Sequence, residues 1–442
     1  MGLPKNRKPI GLKWVFKVKR DPSGKIAKYK ARIMAKGYVQ RYGVDYDEVF
    51  APVARIDTVR VILALAWTNG WGVHHLDIKS AFLNGNLDEE VFITQPEGFE
   101  KKGEENKVYK LSKALYGLKQ APRAWNACLD HYLKSLGFRR CHLGYSVYTR
   151  KNNGYTLLFG VYVDDLLVTG SSQKDVEEFK KEMNAKFEMS DLGLLSYYLG
   201  IESPMDHKLQ LTKEGDGELV NPTEYRSIVG GLRYLTHTRP ELLIAVGVVS
   251  RYMEKPTMAH LQAVKGILRY IKGTLDYGLV YTKGEKQIKV TGYSDSDHGK
   301  DVVDRKSTGG MAFYVNGNLV SWSSHKQRCV ALSSCEAEFM AATMTACQGI
   351  WLRRFLSEIT GQNVPPVMMH VDNQSALELM TNPVFHGRSK HIDIRFHFIR
   401  ECVEEGEIVV THVDGKIQKA DMLINALTRV KHEEMCKLIG IK

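Results

Sequence analysis

The stretch Leu157-Leu158-Phe159-Gly160-Val161-Tyr162-Val163-Asp164-Asp165-Leu166-Leu167-Val168-Thr169 decides how the first half of the chain is read. Its β-branched, aromatic and leucine residues form a β-hairpin pattern, and two adjacent acids stand inside the apolar run. Unpaired charges in such surroundings are costly. Asp is common in turns, so a plain turn is the simpler explanation, but two-residue hairpin turns prefer Asn-Gly or Asp-Gly over Asp-Asp. A bound metal ion would neutralise the pair.

Working outward, Val73-His74-His75-Leu76-Asp77 reads as a strand that ends on a third carboxylate. Two divalent cations about 4 Å apart, held by carboxylates, can activate a 3'-hydroxyl and stabilise a departing pyrophosphate. Spacing alone does not bring Asp77 to Asp164, and a lone Asp at this place is more often a strand-end cap. Residues 11–40 alternate apolar and basic positions around Asp21-Pro22-Ser23-Gly24, which predicts a basic hairpin carrying Lys30 and Arg32. Residues 57–67 carry the spacing of a buried helix, and residues 71–82 read as a strand running into a turn.

Residues 224–275 have helical spacing, with Leu261, Val264, Leu268 and Ile271 on one face and Lys265, Arg269 and Lys272 on another. A basic stripe of this kind is more often a solvated face than a nucleic-acid contact. Beyond Gly273 the pattern changes: 288–294 and 311–322 read as strands, 333–356 as a long helix, 367–371 as a strand and 375–380 as a helix. Strands first and alternating helices later predict a compact α/β domain over about residues 285–435.

A second set of carboxylates lies in this domain. Asp295 ends one predicted strand and Asp372 another, and between them Ser333-Ser334-Cys335-Glu336 opens the long helix. The S-x-x-E spacing is also that of a capping box, and Asp372 could be an N-cap, so a structural role competes for both. Glu338 competes with Glu336; two helical positions apart, the two point to different faces, so one of them can line a site.

Of the 442 residues, 43% are hydrophobic and 25% charged, enough for two or three ordinary cores and unlike a disordered chain. Lys and Arg number 62 against 50 Asp and Glu, a formal charge of +12 that favours a polyanionic partner. Seven cysteines with no C-x-x-C pair argue against a disulfide framework and a structural zinc site. The first residues lack the apolar core of a signal peptide, and no apolar run reaches the length of a membrane span. The expectation is an intracellular protein, cytoplasmic or nuclear.

Three ordered strings in the first half resemble the polymerase motifs of reverse transcriptases from copia-type LTR retrotransposons: Asp77-Ile78-Lys79-Ser80-Ala81-Phe82-Leu83-Asn84-Gly85, Leu115-Tyr116-Gly117-Leu118-Lys119-Gln120-Ala121-Pro122-Arg123-Ala124-Trp125, and Tyr162-Val163-Asp164-Asp165. In the second half, Asp304-Arg305-Lys306-Ser307-Thr308-Gly309-Gly310, Val371-Asp372-Asn373-Gln374-Ser375-Ala376 and Lys390-His391-Ile392-Asp393-Ile394-Arg395-Phe396-His397-Phe398 are similar to the ribonuclease H end of the same polyproteins.

The resemblance implies an α+β multidomain chain: a right-hand polymerase with fingers, palm and a partial thumb, then an α/β ribonuclease H-like domain with a mixed sheet. It implies that Asp77 and Asp164, with Asp165 beside them, bind two Mg²⁺ ions, Mn²⁺ being a possible substitute. Phe82 then resembles the gate that excludes a ribose 2'-hydroxyl, with core packing as its equal alternative. Gly117 and Lys119 match a nucleotide-facing loop, and Lys30 and Arg32 a triphosphate-binding strand. Asp295, Glu336, Asp372 and Asp421 match the metal cluster of ribonuclease H. The implied partners are an RNA template, a DNA primer, deoxynucleoside triphosphates and an RNA–DNA hybrid, without a membrane.

The family usually carries a further strand and helix after the segment matched by Tyr198-Leu199-Gly200-Ile201-Glu202, whereas Ser203-Pro204-Met205 follows at once here. The expected organisation is therefore fingers and palm over 1–205 with a shortened thumb, a helical connection over 206–284, and the ribonuclease H-like domain over 285–435. A decayed element that binds nucleic acid, or keeps only nuclease activity, is the alternative.

Overall fold

The structure, a computed structural model, describes residues 1–20, 25–152, 154–194, 211, 218–285, 287–381 and 393–442. The turn Asp21-Pro22-Ser23-Gly24, the junction at 198–205 with its expected thumb loss, and residues 390–392 of the last family string lie outside the described residues. The chain divides into two compact units, residues 1–55 with 73–194 and residues 56–72 with 195–442. Among the described residues no helix is long and apolar enough to cross a membrane.

The chain opens with β1 (Leu12–Arg20) and β2 (Ile26–Ala35), an antiparallel pair with Val15 opposite Arg32 and Lys17 opposite Lys30. The period of two puts Lys13, Lys17, Lys30 and Arg32 on one face and Trp14, Phe16, Val18 and Tyr29 on the other. The basic hairpin read from the sequence is thus present, with an aromatic reverse side. Next comes α1 (Ile56–Asn69), which belongs to the second unit.

The rest of the first unit comprises β3 (Val73–Ile78), β4 (Asn86–Ile93), β5 (Tyr109–Lys113), α2 (Ala121–Ser135), β6 (Arg139–Arg140), β7 (Val147–Asn152), β8 (Tyr155–Tyr162), β9 (Asp165–Gly170), α3 (Gln173–Lys186) and β10 (Met189–Leu194). The six-stranded sheet runs β10-β3-β9-β8-β7-β6, with β4 and β5 paired separately. Its core joins Leu76, Phe159, Leu166 and Val168 to Leu129 and Leu133 of α2 and to Phe179 and Met183 of α3. Burial contributes about 1.5–3 kcal/mol for each such side chain, so packing rather than propensity holds these two helices. The Ser172 hydroxyl accepts from the Asp175 amide and so starts α3.

The second unit continues with α4 (Pro222–Leu235), α5 (Leu243–Ser250), α6 (Met258–Gly273), β11 (Val290–Ser296), β12 (Thr308–Val315), β13 (Asn318–Lys326), α7 (Ser334–Thr360), β14 (Val367–Val371), α8 (Gln374–Thr381), α9 (Asp393–Glu404), β15 (Ile408–His412) and α10 (Arg429–Ile439). Its sheet has the order β13-β12-β11-β14-β15: β13, β12 and β11 are antiparallel, while β11, β14 and β15 are parallel. The two crossovers follow the segments in which helices alternate with strands, as the sequence pattern predicted.

The stretch 311–322, read as one strand, is a hairpin instead. Asn316 and Gly317 both take positive φ, 51° and 80°, which makes a two-residue turn of the type that Asn-Gly favours. α7 starts where the Ser333 hydroxyl accepts from the Glu336 amide at 3.1 Å and ends on Gly361 at φ 72°. Its small residues let it lie close on the sheet: a side chain on Gly349 would come within 3.1 Å of Phe313 and Val367.

The structure also redraws two boundaries. Leu243, Tyr277 and Leu279 pack on the sheet core of Tyr314, Trp322 and Met435, so the helical segment and the sheet form one body with no break near 284. α1 joins them through Arg60, whose guanidinium lies 3.4 Å from the Trp322 ring centroid and donates to the carbonyl oxygens of Val320 and His237. Burial pulls the pKa of this guanidinium down to about 10 while Asp57 opposes the shift.

Candidate active sites

In the first unit, β8 and β9 pair so that Tyr162 faces Asp165, leaving Val163 and Asp164 as the turn. Val163 has φ 62°, a region that a β-branched residue rarely enters. Two hydrogen bonds hold it there: the Trp125 indole donates to the Val163 carbonyl oxygen at 2.9 Å, and the Ile78 amide to the Asp164 carbonyl oxygen at 3.0 Å. Backbone strain of this kind, about 1–3 kcal/mol, persists only where the surroundings over-determine it.

On its other side β9 pairs with β3, which puts Asp77 directly opposite Asp165. Asp164 and Asp77 both act on the Tyr116 hydroxyl, whose pKa burial raises and Arg32 lowers. Asp165 is exposed and meets His75 Nε2 at 3.0 Å. The sequence reading passed over His75, although the period of two already put it on the same strand face as Asp77. Among the described residues these three aspartates do not converge into a group of three ligand atoms.

Phe82 sits on the 3₁₀ turn Ala81–Asn84, partly buried, with its ring centroid 4.9 Å from that of Tyr116. It packs against two apolar clusters, so its core role is present alongside any other. Arg32 lies 5.1 Å from the Tyr116 ring centroid. Lys30 stands in register opposite Lys17 on the basic face. Gly117 has φ 94°, and a side chain there would come within 2.2 Å of the Ala35 carbonyl oxygen, so only glycine lets this loop lie against β2. The Lys119 ammonium donates to the Gln40 carbonyl oxygen and the Tyr46 hydroxyl at 3.3 and 3.1 Å, which ties it within the protein.

The second cluster is tighter. Ligand atoms of Asp295 on β11, Glu338 on α7 and Asp372 after β14 all lie within 4.8 Å of one another, and Asp295 and Glu338 are buried. Burial and mutual repulsion push all three carboxyls up: Asp295 under desolvation with Asp372 and Asp421, Glu338 under desolvation with Asp295 and Asp372, and Asp372 under desolvation with Asp421. One Glu338 oxygen accepts from the Ser296 amide at 3.1 Å, while the other has no hydrogen-bond partner.

Glu336, which the resemblance matched to the cluster in competition with Glu338, is not part of this group. Its carboxylate accepts from the Leu332 amide at 3.0 Å, and its own amide donates to the Ser333 hydroxyl. Glu336 thus braces Leu332 ahead of the helix, and of the two acids Glu338 is the one that lies with Asp295 and Asp372. Asp421 lies close enough to raise Asp295 and Asp372, but it is also bonded to Asn425 at 2.8 Å and to Lys431. His412, absent from the sequence reading, reaches the Asp372 carbonyl oxygen at 3.2 Å and lowers that carboxyl. The self-repelling carboxylates of Asp295, Glu338 and Asp372, the first two buried, with one carboxylate oxygen unsatisfied, suit a hard divalent cation.

A family of reverse transcriptases (RNA-dependent DNA polymerases) matches residues 1–212. The retrovirus-related Pol polyprotein from transposon TNT 1-94 of Nicotiana tabacum is 38% identical over 99% of this chain and 36% of its own length. A transposon Ty5-1 protein of Saccharomyces cerevisiae is 31% identical over 62% of this chain and all of its own. A crystal structure of LC11-RNase H1 in complex with RNA/DNA hybrid aligns with 31% of this chain and 94% of its own at 18% identity and a TM-score of 0.25. The chain belongs to the Pol polyproteins of copia-type retrotransposons. It spans about a third of the length of the plant polyproteins it matches.

Proposed function

We propose that the chain is an RNA-directed DNA polymerase over its first unit and a ribonuclease H over its second. The observation that carries the reading is the pair of carboxylate sites, Asp77 with Asp164 and Asp165 at one and Asp295 with Glu338 and Asp372 at the other. The family match to a reverse transcriptase supports the first half. On this reading the β1–β2 hairpin belongs to the fingers and the six-stranded sheet to the palm. Mg²⁺ at each site would supply Lewis-acid activation of a nucleophile and neutralise charge on the departing oxygen.

The chain's own residues do the rest. Asp77 and Asp164 would hold the ions, and Arg32 with Lys30 would meet the triphosphate of a deoxynucleotide, Arg being suited to phosphate geometry. Phe82 would occupy the space a ribose 2'-hydroxyl needs. In the second unit Asp295, Glu338 and Asp372 would hold the ions, with Asp421 at their margin, and the RNA strand of an RNA–DNA hybrid would be the substrate. The +12 charge favours these polyanionic partners by counterion release.

The test is extension of a DNA primer on an RNA template with Mg²⁺ or Mn²⁺, with hybrid cleavage scored in the same tube. Asp164→Asn should abolish extension alone, and Asp295→Asn cleavage alone. An unmutated chain that cleaves but never extends would sink the polymerase half and leave the nuclease half standing.

A further inference from the structure

Tyr116 is half-buried, and its hydroxyl is covered without a hydrogen-bond partner. A covered hydroxyl left unpaired weakens a fold, so the place of this side chain is explained by its ring. The ring lies 4.9 Å from Phe82, tilted by 42°, and next to the Arg32 guanidinium. Its backbone is strapped at two ends. The Ala35 amide of β2 donates to the Tyr116 carbonyl oxygen at 2.8 Å, and two residues earlier the Ala114 amide donates to Gly85, the residue that closes the Phe82 turn, also at 2.8 Å.

A ring that discriminates by steric overlap works only if it cannot yield, because a shift of about 1 Å removes a van der Waals clash. The Phe82 turn is a single 3₁₀ turn, Ala81–Asn84, so the ring depends on what packs against it. We propose that Tyr116 is a positioning residue for sugar selection: its ring is the wall that keeps Phe82 in place, and exclusion of ribonucleotides depends on it without contact between Tyr116 and the sugar. This rests on the polymerase reading with Phe82 as gate.

The experiment measures kcat/KM for deoxy- and ribonucleotide incorporation by the full chain, with melting temperature and hybrid cleavage as controls for folding. Phe82→Val and Tyr116→Leu should each lower the deoxy-to-ribo ratio at least tenfold, through a rise in ribonucleotide incorporation. Tyr116→Phe, which keeps the ring and drops the orphan hydroxyl, should hold the ratio within about twofold, and the double variant should fall no further than Phe82→Val, as coupled residues do. If Tyr116→Leu does not melt cooperatively, Tyr116→Met, unbranched, adaptable and without a ring, takes its place with the same expectation.

An unchanged ratio in Tyr116→Leu beside a lowered one in Phe82→Val overturns the wall and leaves the polymerase and its gate standing. An unchanged ratio in Phe82→Val overturns gate and wall together. An unmutated chain that extends no primer overturns both this proposal and the polymerase reading.

Discussion

The two carboxylate sites are built on opposite plans. The cluster of the second unit is compact: Asp295 and Glu338 are buried, sit on a strand and a long helix, and repel each other within 4.8 Å. The carboxylates of the first unit are more open, and their geometry is stored in the backbone, in a turn with Val163 at φ 62° pinned by Trp125. One site holds the electrostatic stress of crowded carboxyls. The other holds conformational strain that keeps a turn in place.

The sharpest way to break this contrast is Glu338→Gln, which should cost hybrid cleavage about a thousandfold while primer extension stays within about twofold. Comparable losses in both activities would mean the sites are not separate. Next comes Trp125→Phe. Losing the bond that pins Val163 should slow extension by roughly ten- to a hundredfold, since 1.4 kcal/mol is a factor of ten, and leave cleavage unchanged.

A smaller effect follows from the raised carboxyls. Native Asp295, pushed up to about 7, holds its proton above the pH at which an unfolded Asp releases it, so the native state binds more protons between those limits. Without divalent cation, stability therefore falls as pH rises from about 4 to about 7, and by calorimetry the melting temperature should drop by roughly 3–6 °C. Added Mg²⁺ should restore it, more at pH 8 than at pH 5, and Asp295→Asn should flatten the slope. The smallest effect is expected of Glu336→Gln, which loosens a helix start and should lower cleavage less than about tenfold; a loss equal to that of Glu338→Gln would reinstate Glu336 as the ligand.

Much of this was legible in the residues. The apolar hairpin around Asp164 and the S-x-x-E start of α7 appear as read, and the alternation read over 11–40 appears as two strands that stop at Ala35. The single strand expected over 311–322 was a misreading of available chemistry, because Asn316-Gly317 announces a turn. Glu338 could be weighed against Glu336 but not chosen, since a cap and a ligand both ask for an acid in the first turn, and only the position of the sheet decides which face points at Asp295. Arg60 gave no signal at all. An arginine in an apolar helix reads as a surface residue, and its partners Val320 and His237 are far away in sequence.

That distance has a temporal side. Arg60 and the Val320 carbonyl oxygen are 260 positions apart, and at 5–20 residues per second a ribosome needs roughly 13–50 s to deliver the second after the first. During that interval α1 has left the exit tunnel and its docking surface does not yet exist. The helix whose segment splits the first unit's sequence can make this contact only once synthesis has run into β13.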